Sequence, residues 1–143
     1  MYYKLLEESD FDLMKNFVDD ENNVYRMDTL ENFVKDKNSY GFIVRNEEKI
    51  IGFAFGYVLL KPDGKKSFYL HAIDIMKIYQ NNGYGTGLMK FILEYVKKIG
   101  CYKMFLLTNK SNVSACKCYS NAGGNVIKDD DVLYVYDIND GDK

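Results

Sequence analysis

Gln80-Asn81-Asn82-Gly83-Tyr84-Gly85-Thr86-Gly87-Leu88 lies between a strand-like run, Phe68 to Met76, and a helix-like run, Leu88 to Lys98. Glycine at every second position lets main-chain N–H groups approach an anion without obstruction by Cβ atoms. A helix that starts at the same place adds the positive end of its dipole. The segment therefore reads as a main-chain cradle for a phosphate or diphosphate.

The surroundings of the loop narrow the ligand. A Walker loop needs Lys and then Ser or Thr at the helix start, whereas Gly87 is followed by Leu88. A dinucleotide-binding turn wants an acid near the end of the next strand to hold a ribose, and Lys103-Met104-Phe105-Leu106-Leu107-Thr108 has none. A third pattern, Gln/Arg-x-x-Gly-x-Gly/Ala, is matched by Gln80, Gly83 and Gly85. Downstream stands Asn112-Val113-Ser114-Ala115-Cys116-Lys117-Cys118-Tyr119-Ser120-Asn121-Ala122-Gly123-Gly124. Together the two stretches resemble the acyl-CoA loop and the Asn-x-x-Ala-x-x-x-Tyr-x-x-x-Gly-Phe segment of the GNAT superfamily of N-acyltransferases. Gly124 departs from that pattern, standing where the family has Phe. The motifs cover roughly the C-terminal half of the chain, and the N-terminal half fits by pattern only.

The order of elements agrees with that resemblance. Tyr2 to Leu6 is strand-like, and Asp10 is placed to cap a helix running to about Val18, with Phe11, Met14, Phe17 and Val18 at helical spacing. A second helix over Asp28 to Lys37 puts Leu30, Phe33 and Val34 on one face, with Asp28 or Thr29 as its cap. Tyr40 to Arg45, Ile50 to Leu60 and Phe68 to Met76 form a meander through turns at Asn46–Lys49 and Lys61–Lys66. After the helix beyond the loop come a strand at Lys103 to Thr108, a helix over Asn112 to Ala122, and two strands at Asn125 to Lys128 and Val132 to Ile138, turned by Asp129-Asp130-Asp131. The expectation is one α/β (α+β mixed) domain over residues 1–143, with a central mixed sheet of about seven strands flanked by about four helices. In the family, the strand before the loop and the strand after the loop helix splay apart around the pantetheine arm; here those are Phe68 to Met76 and Lys103 to Thr108.

Composition limits what else the chain can be. A net charge of −2 with interspersed acids and bases gives no nucleic-acid footprint, and the lack of a long uncharged apolar run argues against a membrane-spanning helix. The N-terminus turns acidic at Glu7-Glu8, before a signal-peptide core could form, so a cytoplasmic location is expected. Three cysteines without Cys-x-x-Cys spacing read as reduced thiols. Cys116 and Cys118 diverge by roughly 200° on a helix and cannot share an ion, so no metal is expected. The Lys, Asn, Ile and Tyr content with one proline, Pro62, suggests an AT-rich bacterial genome.

The resemblance implies acetyl-CoA as cosubstrate, held by Ile75, Met76, Gln80, Asn81, Asn82, Gly83, Tyr84, Gly85, Thr86, Gly87, Asn112 and Tyr119. It implies that the main-chain N–H near Ile75 polarises the thioester carbonyl and that Tyr119 acts as general acid toward the departing thiolate. The acceptor is a primary amine, almost wholly protonated at neutral pH, so a base is required. His71, the only histidine, lies on the strand entering the loop, and imidazole is the commonest general base. Asp74 is the competing carboxylate; strand alternation puts it on the opposite face unless a bulge re-aims it, and water or a residue outside this strand is the remaining alternative. The acceptor reads as a small molecule such as an aminoglycoside or polyamine, toward which Asp19-Asp20-Glu21 and Asp129-Asp130-Asp131 could act as acidic attractors. A protein amine, or a CoA-binding or partner-binding module without transfer activity, are the competing readings. Homodimerisation through tyrosines and the terminal strands is a further family expectation.

Overall fold

The structure is a computed structural model describing residues 1–139. One sheet contains strands β1 (Tyr2–Leu5), β2 (Ser39–Arg45), β3 (Ile50–Leu60), β4 (Lys66–Ile75) and β5 (Lys103–Phe105), in that spatial order. The first four pair antiparallel, and β4 with β5 is parallel. Helices α1 (Phe11–Met14), α2 (Met27–Lys35), α3 (Tyr84–Lys98) and α4 (Val113–Asn121) cover the sheet. The fold class is therefore the mixed α/β class expected, with four helices.

Two hydrophobic clusters fill the two faces. On one face Leu88, Met89, Ile92 and Val96 of α3 pack with Phe42, Ala54, Phe68 and Leu70. On the other, Phe11 and Met14 of α1, Phe17 of the segment that follows it and Leu30 of α2 pack with Ile43, Ile50 and Phe53. The meander owes its turns to local side-chain bonds. Asn46 Oδ1 accepts from the N–H groups of Glu48 and Lys49, both at 2.8 Å, and Asp63 Oδ1 accepts from Lys65 N–H at 3.0 Å.

Several sequence expectations are corrected. Among the described residues the sheet has five strands rather than about seven. Residues 125–139 are not strands: among the described residues they make no main-chain hydrogen bond, and Val132, Leu133, Tyr134, Val135, Tyr136 and Ile138 are exposed. Alternation and β-propensity alone do not make a strand without a neighbour to pair with. β5 ends at Phe105 instead of Thr108, because its pairing to β4 stops at Tyr69↔Phe105. The first helix ends at Met14 rather than near Val18, and α2 begins at Met27, so Asp28 and Thr29 sit inside its first turn.

Asp10 holds the N-cap position of α1, as expected, but its side chain makes no capping bond to that helix. Its fully buried carboxylate accepts from Lys4 Nζ at 2.6 Å, Arg45 Nη1 at 2.8 Å and Glu7 N–H at 3.0 Å. Burial pushes its pKa up, but these donors outweigh burial and hold it below the usual carboxylate range. The ion pair fixes β1, β2 and the turn before α1 to one another.

Candidate active site

The site forms where β4 and β5 part. Pairing between them covers only Ser67↔Lys103, Phe68↔Met104 and Tyr69↔Phe105, while β4 continues to Ile75. Consecutive strand N–H groups point to opposite sides. Met76 N–H donates to Ile51 O at 2.8 Å on the β3 side, so Ile75 N–H points into the opening, where no strand accepts it.

The glycine loop closes the end of this opening. Gly83 has φ 85°, a left-handed conformation that favours glycine, and directly precedes α3. Among the described residues, the N–H groups of Gly83, Tyr84, Gly85 and Thr86 donate to no main-chain carbonyl; the first intrahelical bond is Gly87 N–H to Gly83 O at 2.9 Å. These are the free donors an anion needs. Two expected contact residues also brace the loop: Gln80 Nε2 donates to Ile75 O at 2.8 Å, and Asn82 Nδ2 donates to Tyr79 O at 3.2 Å and Gln80 O at 3.1 Å. Asn81, exposed, takes a left-handed φ of 64° within the same turn. Gly87 is held to glycine by packing, since a Cβ there would overlap the Tyr3 hydroxyl of β1. Thr86 Oγ1 lies 3.8 Å from Cys118 Sγ and joins α3 to α4.

Across the opening, α4 starts with Asn112, whose Oδ1 accepts from Ala115 N–H at 3.1 Å as an N-cap. Tyr119, two turns on, is half-buried against the α3-side cluster, and its hydroxyl has no hydrogen-bond partner among the described residues. Burial first, then neighbouring Cys118, Cys116 and Asp74, push the phenol up to about 12, so it stays protonated at neutral pH.

A bulge decides which β4 side chains share a face. Phe55 pairs with Ala72 and Gly56 with Leu70, leaving His71 as the extra residue. Before the bulge Phe68 and Leu70 face the α3 cluster; after it Ile73 and Ile75 do. Tyr69, His71 and Asp74 consequently all lie on the α1/α2 face, and Asp74 is re-aimed onto the face of His71. It stands opposite Phe53 in the register.

The two candidate bases have different surroundings. Asp74 is half-buried, and its Oδ2 accepts from Asp20 N–H at 2.9 Å. Burial raises its pKa; the Asp20 N–H bond opposes this, and the negative charges of Asp20 and Asp19 reinforce it, giving about 6. His71 is exposed, stacked on Phe55 (5.2 Å, 18°) and edge-on to Tyr69 at 5.5 Å and Tyr57 at 6.2 Å. In the two acidic runs only Asp129 and Asp131 have ion-pair partners among the described residues, and Asp19 is held by hydrogen bonds of its own loop. Asp19 accepts from Tyr25 Oη at 2.6 Å and from Asn23 and Glu21 of its own loop. Asp129 and Asp131 approach Lys110 at 4.0 Å and Lys128 at 3.8 Å.

Sequence reading placed a polar loop after Val18 but missed that Asp74 ties it to β4. Its signal was the Asp-Asp-Glu-Asn-Asn run, a turn-forming composition. A concavity of about 230 Å³ lined by Leu5, Leu6, Val34 and Gly41 lies by α2 and β2 rather than at the glycine loop. No helix of the described residues is long and apolar enough to cross a membrane, and no three His, Cys, Asp or Glu side chains among them gather as a metal site.

Comparison with known proteins gives concordant results. No curated protein sequence matches the chain. Among solved structures, an aminoglycoside acetyltransferase from an uncultured soil metagenomic sample, in complex with sisomicin, superposes with a TM-score of 0.79 at 20% identity, over 96% of this chain and 96% of that one. A Bacillus halodurans C-125 transcriptional regulator gives 0.76 at 19% identity, over 94% and 99%. A Trypanosoma brucei acetyltransferase gives 0.75 at 18% identity, over 94% and 99%. These likenesses establish the fold. The model of the acetyltransferase (GNAT) family matches residues 3–123, and with that span, which holds both the glycine loop and α4, the chain belongs to the GNAT family of acetyltransferases.

Proposed function

We propose that the protein transfers an acetyl group from acetyl-CoA to the primary amine of a small molecule, by direct attack within a ternary complex in the cytoplasm. The observation that carries this reading is the conjunction of unpaired N–H groups at Gly83 to Thr86 with the parting of β4 and β5 next to them. The former suit a diphosphate and the latter an extended arm running to Ile75 N–H. Asp74 takes one proton from the ammonium. The freed nitrogen attacks the thioester carbon, whose oxygen is polarised by Ile75 N–H. The C–N bond forms, the C–S bond breaks, and the second amine proton leaves with the thiolate as thiol.

For the base, the raised pKa and half-buried position favour Asp74 over His71, which is packed into an aromatic group. Tyr119 serves the leaving group. A phenol at about 12 is a weaker acid than a thiol near 8.5, so its contribution is a hydrogen bond to the developing thiolate. Amine-dependent release of free CoA thiol is the direct test; a protein that binds acetyl-CoA yet releases no thiol with any amine is a binding module instead. In the same assay Tyr119→Phe is expected to lower kcat by about 10²-fold with little change in the KM for acetyl-CoA. An unchanged kcat would remove Tyr119 from the mechanism.

A homodimer is part of this proposal. The outer edge of β5 is open, with Phe105 and Leu107 exposed, and residues 132–138 offer an apolar extended segment that finds no place in the single chain. Pairing of that segment with β5 of a second copy would satisfy both. Sedimentation should show a dimer for the native chain and a monomer for Val135→Pro, because proline cannot donate to a ladder. A native monomer at all concentrations would refute the pairing.

A further inference from the structure

Aromatic side chains line the sheet face beside the proposed reaction centre. Phe53 and Phe55 stack at 5.5 Å, Phe55 and His71 at 5.2 Å, His71 and Tyr69 meet at 5.5 Å, and Tyr69 and Phe105 at 5.2 Å. The row crosses from β3 over β4 to β5 and starts opposite Asp74, the register partner of Phe53. Phe33 of α2 covers its β3 end, packing edge-on against Phe55 and Tyr57 at 5.9 and 6.5 Å. At the other end the rings are open: His71 is exposed, Phe105 is 41% exposed and Tyr69 is half-buried.

A folded chain gains by covering such rings, and this row runs away from the carboxylate that would receive the acceptor's ammonium. Asp74 and His71 are separated by roughly 9 Å of strand, the span of a short alkyl chain plus a ring. Asp74 is the half-buried carboxylate of this face, with the charges of Asp20 and Asp19 beside it, and it borders an apolar wall. A carboxylate beside flat exposed rings suits a cation that carries a flat apolar body.

We infer that the acceptor is an arylalkylamine, its ammonium at Asp74 and its ring on the platform made by His71, Tyr69 and Phe105. This inference rests on the transferase reading. Phe105 is then a specificity-determining residue that touches the acceptor without touching the reacting atoms.

The test is thiol release with phenethylamine, tyramine, spermidine and sisomicin as acceptors, in the native chain and in Phe105→Ala and Phe105→Leu. The arylalkylamines are expected to give at least about tenfold higher kcat/KM than the polycations, the scale of one well-placed ring contact. Phe105→Ala should raise their KM about tenfold with kcat and the KM for acetyl-CoA little changed, and Phe105→Leu should recover part of the loss. A preference for spermidine or sisomicin, or an unaltered acceptor ratio in Phe105→Ala, overturns the inference and leaves the transferase reading standing. Absence of thiol release with every amine overturns both.

Discussion

Asp74→Asn is expected to lower kcat/KM for amine acetylation by about 10²- to 10⁴-fold, the usual worth of a positioned general base, or roughly 3 to 5 kcal/mol of barrier. The pH profile gives the sharper reading. A base works only when deprotonated, and burial together with the charges of Asp20 and Asp19 holds Asp74 at about 6. Activity of the native chain should therefore fall as pH drops below about 6, with that limb absent in Asp74→Asn. The variant should not owe its loss to unfolding. The folded-state pKa is raised above the ordinary carboxylate value, so the stability contributed by protonating Asp74 is present at low pH and lost as pH rises toward 6; at neutral pH the native charge is already a burden that Asn lacks. Asn can also still accept from Asp20 N–H through its Oδ1. If the acid limb survives in Asp74→Asn and disappears in His71→Gln, the proton goes to His71.

A large effect of the opposite kind is expected at Asp10. Asp10→Ala removes the counter-charge shared by Lys4 and Arg45, whose side chains are only 23% and 13% exposed; Lys4 keeps Glu7 at 2.8 Å, whereas Arg45 keeps no carboxylate partner among the described residues. Breaking a buried ion pair by removing one partner costs about 3 to 5 kcal/mol, a large share of the about 5 to 15 kcal/mol that holds an ordinary domain together. The melting temperature should fall by roughly 10 to 20 °C. The sign with pH is fixed by the lowered pKa of Asp10: its contribution is full at neutral pH and is lost as pH falls through its folded-state value, so the variant should show a flatter loss of stability in acid. A melting point within a few degrees of the native one would mean that the pair costs as much in desolvation as it returns. The consequence reaches the site, because the segment anchored by Asp10 leads through α1 to the loop whose Asp20 N–H contacts Asp74.

The family, the meander, the glycine loop and the capped helix at Asn112 were legible because each is written locally. Gly83 directly precedes a helix, which starts at Tyr84 and not at Leu88 so that Gly85 and Gly87 lie in its first turn, Asn112 precedes another, and Asn46 and Asp63 mark turns at fixed offsets. Such features depend on a residue and its near neighbours along the chain. Ranges failed where pairing partners decide the outcome, as at residues 125–138, which alternate like strands and have no strand beside them.

Tertiary structure alone settled how these pieces are used. That Asp74 shares a face with His71 follows from one extra residue in β4 relative to β3, a register fact that no single strand carries in its own sequence. That Gly87 makes room for Tyr3, and that the Asp10 side chain answers to Lys4 and Arg45 instead of making a capping bond, are contacts between segments far apart in the chain. Sequence by itself determined which groups are available, since the glycine loop, the phenol and the carboxylates are short-range patterns and residue types. The fold determined their directions and surroundings, because side-chain aim and desolvation depend on which distant segments pack alongside.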